Sequence, residues 1–196
     1  MIEQALRRAT DTKGLLIADG AIASVPDMFK KMFPGLRPIV IADTTTWTVA
    51  GAEVNDLLTD AGLKPDEPYI FTDSNLHAEW KYIERLDKVL AATDAVAVAV
   101  GSGTINDLSK LSSHHCGKRY MTVSTAASMD GYTAYGASIT KDGAKQTFSC
   151  PAPLAVVADT AIIARAPIDM TAAGYADLFA KIPAGADWIL SDELGV

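Results

Sequence analysis

Cysteine is scarce in this sequence, and its two cysteines lie far apart. Cys116 and Cys150 form neither a C-x-x-C pair nor zinc-finger spacing within 196 residues. Their spacing argues against a disulfide-rich scaffold and against a cysteine-based zinc site. We expect both thiols to be reduced and buried, as is typical of proteins in the reducing cytoplasm.

Basic runs and long apolar runs are also missing. The longest basic run is Lys30-Lys31 and the formal net charge is −7, so the sequence lacks the positive surface that nucleic-acid binding needs. The longest fully apolar run, 95–100, is too short to cross a bilayer, and residues 1–4 resemble neither a signal nor a transit peptide. We therefore expect small molecules, or copies of the same chain in a homo-oligomer, as partners, and no nucleic acid or membrane.

Histidine occurs three times. His114 and His115 are adjacent, so on a helix their side chains point about 100° apart and cannot chelate a metal as an i, i+4 pair does. We expect these two at the end of a helix and His77 at the start of a surface helix, far from any ligand site. A G-x-S-x-G nucleophile motif is absent as well.

What the sequence does contain is a series of short apolar runs rich in β-branched residues. The runs are continuous rather than alternating, which is typical of parallel strands covered on both faces. They lie at 15–17, 39–42, 69–71, 95–100, 120–123 and 154–157.

Apolar residues between these runs recur at helical spacing. The three stripes comprise Val54, Leu57, Leu58 and Ala61; Leu76, Trp80, Ile83, Leu86 and Leu90; and Ile105, Leu108 and Leu111. Strands and helices that alternate every 25–30 residues or so form βαβ units. The sequence therefore predicts an α/β fold, a Rossmann-like parallel sheet with flanking helices.

The pattern changes in the last third of the chain. Residues 124–153 lack helical spacing and contain a predicted hairpin around 141–143. Alanine-rich helices then follow Asp159, and Pro167 and Pro183 separate them. We predict an α/β domain over residues 1–159 and the truncated beginning of an all-helical domain over residues 160–196.

The fourth apolar run leads directly into the segment 101–107, Gly-Ser-Gly-Thr-Ile-Asn-Asp. Its glycines permit a tight turn and close approach of a ligand, and Thr104 with Asp107 forms a predicted capping box. The amides at the start of the helix attract phosphate or pyrophosphate. Because Asn106 replaces the third glycine of G-x-G-x-x-G, an ordinary strand-to-helix turn is an equal alternative.

Three carboxylates outside this turn have two interpretations each. Asp43 is either a ribose-binding residue or the N-cap of a helix. Asp130 lies in the loop 124–132, which is either a ligand-binding loop or a solvated turn. Asp177 is usually solvent-facing in such a context, and a single carboxylate does not make a metal site.

Five segments together resemble one family. They occur in the order and spacing of the glycerol-1-phosphate dehydrogenases, which belong with glycerol dehydrogenase, iron-containing alcohol dehydrogenases and 3-dehydroquinate synthase. The segments are 101–110, 125–131, 158–160, 166–167 and 173–177. The chain resembles about the N-terminal half of a family member.

The resemblance implies an NAD- or NADP-dependent enzyme that interconverts dihydroxyacetone phosphate and sn-glycerol 1-phosphate with one Zn²⁺ or Ni²⁺. It implies that Asp43 holds the adenosine ribose and that Thr125 and Ser128 contact the cofactor. The residues implied to cradle the pyrophosphate are Gly101, Ser102, Gly103, Thr104 and Ile105.

The catalytic roles are also implied by the resemblance. Asp130 would contact the substrate near the reacting carbon. Asp177 would be a catalytic metal ligand, completed by two histidines further along, and these are absent here. We therefore expect the isolated chain to bind nucleotide weakly or not at all and to show no turnover.

Two smaller departures from the family pattern concern the cofactor. Ser102 interrupts a triple glycine, which is tolerable if its φ is negative, and Ala134 replaces a serine that bonds to the cofactor. Asp43 favours NAD over NADP by repelling a 2′-phosphate, although Thr44, Thr45 and Thr46 could soften that preference.

Three alternative functions stay open. They are a glycerol dehydrogenase-like polyol oxidoreductase, a dehydroquinate synthase-like lyase and a non-catalytic nucleotide-binding module. The loop 125–131, with Ala-Ala-Ser-Met-Asp-Gly, favours the glycerol-type enzymes over the lyase.

Overall fold

The computed structural model describes residues 2–195. Six strands form one parallel sheet, and two more form an antiparallel hairpin. The strands are β1 Gly14–Ala18, β2 Pro38–Asp43, β3 Tyr69–Phe71, β4 Val96–Gly101, β5 Met121–Ser124, β6 Ala137–Lys141, β7 Ala144–Phe148 and β8 Ala155–Asp159. The α-helices are α1 Ile2–Arg8, α2 Val25–Met32, α3 Thr44–Thr46, α4 Ala52–Asp60, α5 Trp80–Ala91, α6 Gly103–His115, α7 Thr160–Ile163, α8 Ile168–Phe179 and α9 Lys181–Leu194.

The large sheet has the strand order β1-β8-β5-β4-β2-β3, with every neighbouring pair parallel. Each of its strands coincides with one of the six predicted apolar runs, which confirms the Rossmann-like α/β prediction. Because parallel strands end at the same edge, Asp43, Gly101, Ser124 and Asp159 all lie at one edge of the sheet. This edge is where open α/β sheets bind ligands.

Both faces of the sheet are buried, which explains why its strands read as continuous apolar runs. On one face, Val96, Val98 and Val100 of β4 pack with α2 and α4. On the other, Ala97 and Ala99 pack with α5 and α6. A fully buried aliphatic side chain contributes about 1.5–3 kcal/mol, so these two clusters hold the strand ends in place.

The hairpin of β6 and β7 confirms the prediction around 141–143. Asp142 and Gly143 have φ values of 52° and 76°, the left-handed pair that a two-residue type I′ turn requires. Ile139 is buried, and Phe148 lies against Trp80 with 5.2 Å between ring centroids. The hairpin is thereby fixed on the α5–α6 side of the sheet.

Two boundaries differ from prediction. Leu76 lies outside α5, because Glu79 is extended and serves as the N-cap, although Leu76 still packs against the same core. Pro183 was expected between helices but lies in the first turn of α9, where proline removes no needed hydrogen bond. As a result, only Ala180 separates α8 from α9.

The helices α8 and α9 carry many exposed apolar side chains. Trp188 is 82% exposed and Ile168 is 77% exposed, whereas an ordinary core helix buries its apolar stripe. Within residues 2–195, no helix has both the length and the apolar character needed to cross a bilayer.

Candidate functional site

The glycine turn ends β4 and starts α6. Ser102 is the N-cap, with φ −87° and ψ −165°. Its φ is negative, so a serine is tolerated here in place of a glycine. A Cβ at Gly101 would lie 2.7 Å from Ile105 Cβ, and one at Gly103 would lie 3.0 Å from Met129 Sδ. Neither glycine has a positive φ. Gly101 is therefore needed for close packing against Ile105, whereas at Gly103 the flexible Met129 side chain can move aside.

The predicted capping box of Thr104 and Asp107 is wrong. Helix α6 begins at Gly103 with no side-chain cap, so Thr104 already lies inside the helix. Asp107 instead accepts hydrogen bonds from the Ser138 backbone N–H at 3.3 Å and from the Asn106 side chain at 3.2 Å. The amides of the first turn are thus not capped by a side chain, and a ligand can bind them.

A buried lysine behind the turn was not foreseen from the sequence. Lys110 is 1% exposed, and its Nζ donates to the carbonyls of Ala134 and Gly136, each at 3.0 Å. Burial lowers the pKa of Lys110, and the nearby carboxylate of Asp107 partly opposes that shift. Burial likewise raises the pKa of Asp107. The pair ties α6 to the segment that leads into the hairpin.

Asn106, which replaces the third glycine of the nucleotide fingerprint, has a structural role. It is fully buried, and its Oδ1 accepts a hydrogen bond from the Tyr120 hydroxyl at 3.0 Å. Burial raises the pKa of Tyr120 well above its ordinary value, so the hydroxyl stays a neutral donor. Asn106 thereby anchors α6 beside β5.

Asp43 is an N-cap. Its Oδ1 accepts from the Thr46 backbone N–H at 2.7 Å, and the Thr46 hydroxyl accepts from the Asp43 N–H at 3.1 Å. The interpretation of Asp43 as the N-cap of a helix is therefore correct. Asp43 also lines a cavity beside the glycine turn, so the cap does not remove it from the candidate site.

Two cavities flank the glycine turn, and Ser102 lines both. One, of about 440 Å³, is lined by Asp43 and Thr125. The other, of about 600 Å³, is lined by Gly103, Thr104 and Ser128. The structure therefore brings most of the predicted cofactor residues to two cavities at the strand ends that share Ser102 in their lining, together called the crevice. Gly101 and Ile105 are the exceptions, because neither lines a cavity. The Ile105 side chain is fully buried, so only its amide can face a ligand.

The placement of His77 differs from expectation. It precedes α5, which begins at Trp80, and it lines the larger cavity together with the exposed Lys145 of β7. We expected it far from any ligand site, but the loop before α5 carries it to the crevice. His114 and His115 lie in the last turn of α6, as predicted, and His115 Nδ1 is 2.8 Å from Asp87 Oδ2.

The polar loop 125–131 is held beside the glycine turn. The Thr125 N–H donates to the Gly101 carbonyl at 3.1 Å. The Tyr132 hydroxyl donates to the Ala126 carbonyl at 2.7 Å, and burial raises the pKa of Tyr132 to about 12. The Ser124 hydroxyl, at the loop's start, is buried and has no hydrogen-bond partner among residues 2–195. The loop is thus held in place, and its residues Thr125, Ala126, Ser128 and Met129 line the two cavities.

Helix α8 approaches the same loop through Gly174. A Cβ at Gly174 would lie 1.9 Å from the Ala127 carbonyl oxygen and 3.2 Å from the Met129 amide nitrogen. Both contacts are with backbone, which cannot rotate away. Only glycine therefore allows α8 to lie this close to the loop.

The two predicted catalytic carboxylates come together at this contact. The Asp130 N–H donates to Asp177 Oδ2 at 3.0 Å, and the Lys181 ammonium lies 3.0 Å from Asp130 Oδ2 and 3.5 Å from Asp177 Oδ1. The Asp130 amide, aided by Lys181, lowers the pKa of Asp177. Lys181 was missed, although its i, i+4 spacing from Asp177 was a visible signal. Neither carboxylate lines the two cavities.

The described residues do not complete a metal site. Between Ile2 and Gly195, no group of three His, Cys, Asp or Glu side chains is placed to hold a metal ion. Asp130 and Asp177 are paired with a lysine instead. Both cysteines are free thiols, Cys150 buried and Cys116 half-buried, so neither pairs in a disulfide.

The six-stranded parallel sheet with helices on both faces defines an α/β protein of the Rossmann-like class. Comparison with known proteins is more specific. The chain belongs to the iron-containing alcohol dehydrogenase family, whose model matches residues 16–167.

Curated relatives share one name. The chain is 35% identical to "Glycerol-1-phosphate dehydrogenase [NAD(P)+]" of Halalkalibacterium halodurans, over 81% of this chain and 40% of the relative. It is 33% identical to the protein of the same name from Methanosarcina mazei, over 93% of this chain and 50% of the relative. The chain thus spans about half or less of the length of these relatives.

A solved structure has the same fold. Glycerol dehydrogenase from Schizosaccharomyces pombe superposes with a TM-score of 0.73 and 22% sequence identity, covering 87% of this chain and 43% of that one. At this identity the likeness bears on the fold alone.

Proposed function

We propose that this chain forms the NAD(P)-binding part of a dehydrogenase that interconverts dihydroxyacetone phosphate and sn-glycerol 1-phosphate. One observation carries the proposal: the uncapped start of α6 opens between two cavities at the carboxyl edge of the sheet. The substrate and the cofactor come from the name shared by the curated relatives.

A dinucleotide fits this crevice by size and by chemistry. Its two nucleosides require space on both sides of the diphosphate, and the cavities of about 440 and 600 Å³ supply it. The amides of Gly103, Thr104 and Ile105 would hold the diphosphate with the positive end of the α6 dipole. Gly103 lines the larger cavity and has no side chain that could cover its own amide.

The remaining cofactor contacts follow from this placement. Asp43 would accept a ribose hydroxyl through Oδ2, because the helix cap uses Oδ1. Thr125 and Ser128, one on each cavity, would contact the cofactor beyond the diphosphate. The bound cofactor supplies the hydride acceptor, and the protein's contribution is to position it and exclude water.

We propose that Asp130 contacts the substrate and that Asp177 is one ligand of a divalent metal such as Zn²⁺ or Ni²⁺. Support comes from the hydrogen bond that joins them. Lys181 would have to leave Asp177 for a cation to bind, and the described residues supply too few ligands. No step of the reaction is therefore assigned to a metal.

We also propose that residues 160–196 begin a second, helical domain. The exposed apolar side chains of α8 and α9 support this, because a large exposed apolar face marks a contact surface. The two free thiols support a cytoplasmic location, since cytoplasmic conditions keep thiols reduced.

A second candidate is a non-catalytic nucleotide-binding module. The observation in its favour is that Asp130 and Asp177 are both paired with Lys181 and lie outside the cavities. Such a module would bind nucleotide at the same site as the proposed dehydrogenase, but it would not oxidise NAD(P)H.

Nucleotide binding is tested by titrating the ¹⁵N-labelled 196-residue chain with NAD up to millimolar concentrations. We expect amide shifts at residues 102–105, because the diphosphate would bind there. Gly103→Ala should weaken binding with little loss of stability, because its Cβ meets only the flexible Met129 side chain. Gly185→Ala, whose Cβ meets no atom within 4 Å, is the matched control. Shifts confined to another face would contradict the proposed site. Because weak binding or none is expected of the isolated chain, the titration is also made on the protein purified from the cells that encode it, where an absence of NAD binding would contradict the site as well.

Turnover separates the two candidates. It is measured as NAD(P)H oxidation by the protein purified from the cells that encode it, with dihydroxyacetone phosphate and dihydroxyacetone compared as substrates. The dehydrogenase proposal expects oxidation that depends on the phosphorylated substrate. Nucleotide binding without oxidation of NAD(P)H by either substrate would favour the non-catalytic module.

A further inference from the structure

The smaller cavity, of about 440 Å³, has an unusual distribution of charge. Among the residues that line it, only Asp43 and Arg165 are charged. The hydroxyl side chains of Thr45, Thr46 and Thr48 also line it. The cavity therefore combines one anion, one cation and several neutral hydrogen-bonding groups.

The charge of Asp43 is already partly compensated. Its Oδ1 accepts the Thr46 N–H at 2.7 Å at the start of α3, where the helix amides stabilise negative charge. A carboxylate at this position binds the ribose 2′-hydroxyl of NAD and repels a 2′-phosphate. Taken alone, Asp43 would restrict the site to NAD.

Arg165 supplies the opposite charge. It lies between α7 and α8, is exposed, and forms no ion pair with any residue in the range 2–195. A guanidinium group binds phosphate with two parallel hydrogen bonds, which no other side chain matches. An arginine that lines the ribose side of the crevice without an internal partner is suited to a phosphate from the ligand.

We propose that Arg165 determines cofactor specificity by binding the 2′-phosphate of NADP, so that the cavity accepts both NADP and NAD. The inference rests on the proposed nucleotide site. Arg165 would neutralise the phosphate and the hydroxyls of Thr45 and Thr46 would donate to its oxygens, since the Thr48 hydroxyl already donates to the Thr44 carbonyl. Asp43 would keep its contact with the ribose of NAD. The two cofactors would share the diphosphate site at α6.

Arg165→Met tests this assignment, because it removes the cation and keeps much of the side-chain volume. The dissociation constants of NADP and NAD are measured by calorimetry on the protein purified from the cells that encode it, and the binding position is checked by NMR titration. We expect NADP to bind about tenfold more weakly, the loss of roughly one charge-assisted hydrogen bond, and NAD to change by less than about twofold. Arg165→Lys should recover part of the NADP affinity, since it restores the charge without the planar group.

Two further measurements make the test specific. In the parent chain, added salt should weaken NADP binding more than NAD binding, because the contact of Arg165 with the phosphate is ionic and exposed. In Arg165→Met, the two cofactors should show the same dependence on salt. Asp43→Asn should strengthen NADP binding by removing the repulsion.

The outcomes distinguish the two proposals. If NAD binds at residues 102–105 but Arg165→Met leaves NADP affinity unchanged, or weakens both cofactors equally, the role of Arg165 is refuted and the nucleotide site stands. If neither cofactor binds the crevice, the proposed nucleotide site is refuted, and the role of Arg165 with it. Circular dichroism of each variant shows that the fold is kept.

Discussion

Replacing Gly174 by alanine tests how closely α8 packs against the polar loop. The new methyl group would lie 1.9 Å from the Ala127 carbonyl oxygen and 2.8 Å from its carbonyl carbon. To reach ordinary van der Waals distance, helix and loop must separate by about 1.5 Å. That shift would also break the hydrogen bond from the Asp130 N–H to Asp177, now 3.0 Å long.

The size of the effect follows from two opposing terms. Alanine favours a helix over glycine by about 0.5–1 kcal/mol. Overpacking against atoms that cannot rotate away costs more, typically about 1–3 kcal/mol. Because the clash is with backbone, we expect a net loss near the upper end of the difference, about 2 kcal/mol, which lowers the Tm of a chain of this size by about 4–8 °C.

Thermal unfolding followed by circular dichroism measures this loss, and Gly185→Ala is the matched control. Gly185 lies in α9, and a Cβ there meets nothing within 4 Å, so the control should gain the helix preference of about 0.5–1 kcal/mol without the clash. If Gly174→Ala is as stable as its parent while the control behaves as expected, α8 does not pack on the loop as described.

Two further predictions concern buried charges. Burial alone would raise the pKa of Asp159, but the backbone amides of Ile22, Ile162 and Ala161 lower it below its ordinary value. The ionised Asp159 therefore stabilises the fold above about pH 4, and this contribution is lost as the pH falls through the lowered pKa. Asp159→Asn should cost about 1–2 kcal/mol at pH 7 and flatten the acid limb of stability against pH in urea titrations; an unchanged acid limb would contradict this. Lys110→Met leaves the Asp107 carboxylate without its lysine and should lower the free energy of unfolding by about 3–5 kcal/mol. The control, Lys88→Met at an exposed position, should change it by less than about 0.5 kcal/mol. Equal effects of the two substitutions would show that Lys110 is not buried.

Much of the fold could be predicted because each strand is buried on both faces. A continuous run such as 95–100 has one consistent interpretation in an α/β chain, and the strand ends then follow. The hairpin was equally visible, because Asp142-Gly143 suits a two-residue turn. Local chemistry and burial agree at these positions, so sequence alone is enough.

The site was less predictable, since its contacts join distant segments. Lys110 meets carbonyls more than twenty positions away, and nothing in its neighbourhood signals that it is buried. His77, which precedes α5, lines the larger cavity, although its neighbours in the sequence give no sign of this. The capping box failed for a local reason: Thr104 and Asp107 have the right spacing, but the extended backbone of Ser102 starts the helix before Thr104.

The strand order has a consequence for synthesis of the chain. The edge strand β1 pairs with β8, with Gly14 beside Ala155, so its partner is made 141 residues later. The Thr12 hydroxyl likewise bonds to the Pro153 carbonyl across the same separation, at 2.8 Å. At about 5–20 residues per second, a ribosome needs about 7–28 s to cover that interval. During this time the apolar segment Leu15-Leu16-Ile17 has no strand to pair with, so this edge of the sheet can form only after β8 has been made.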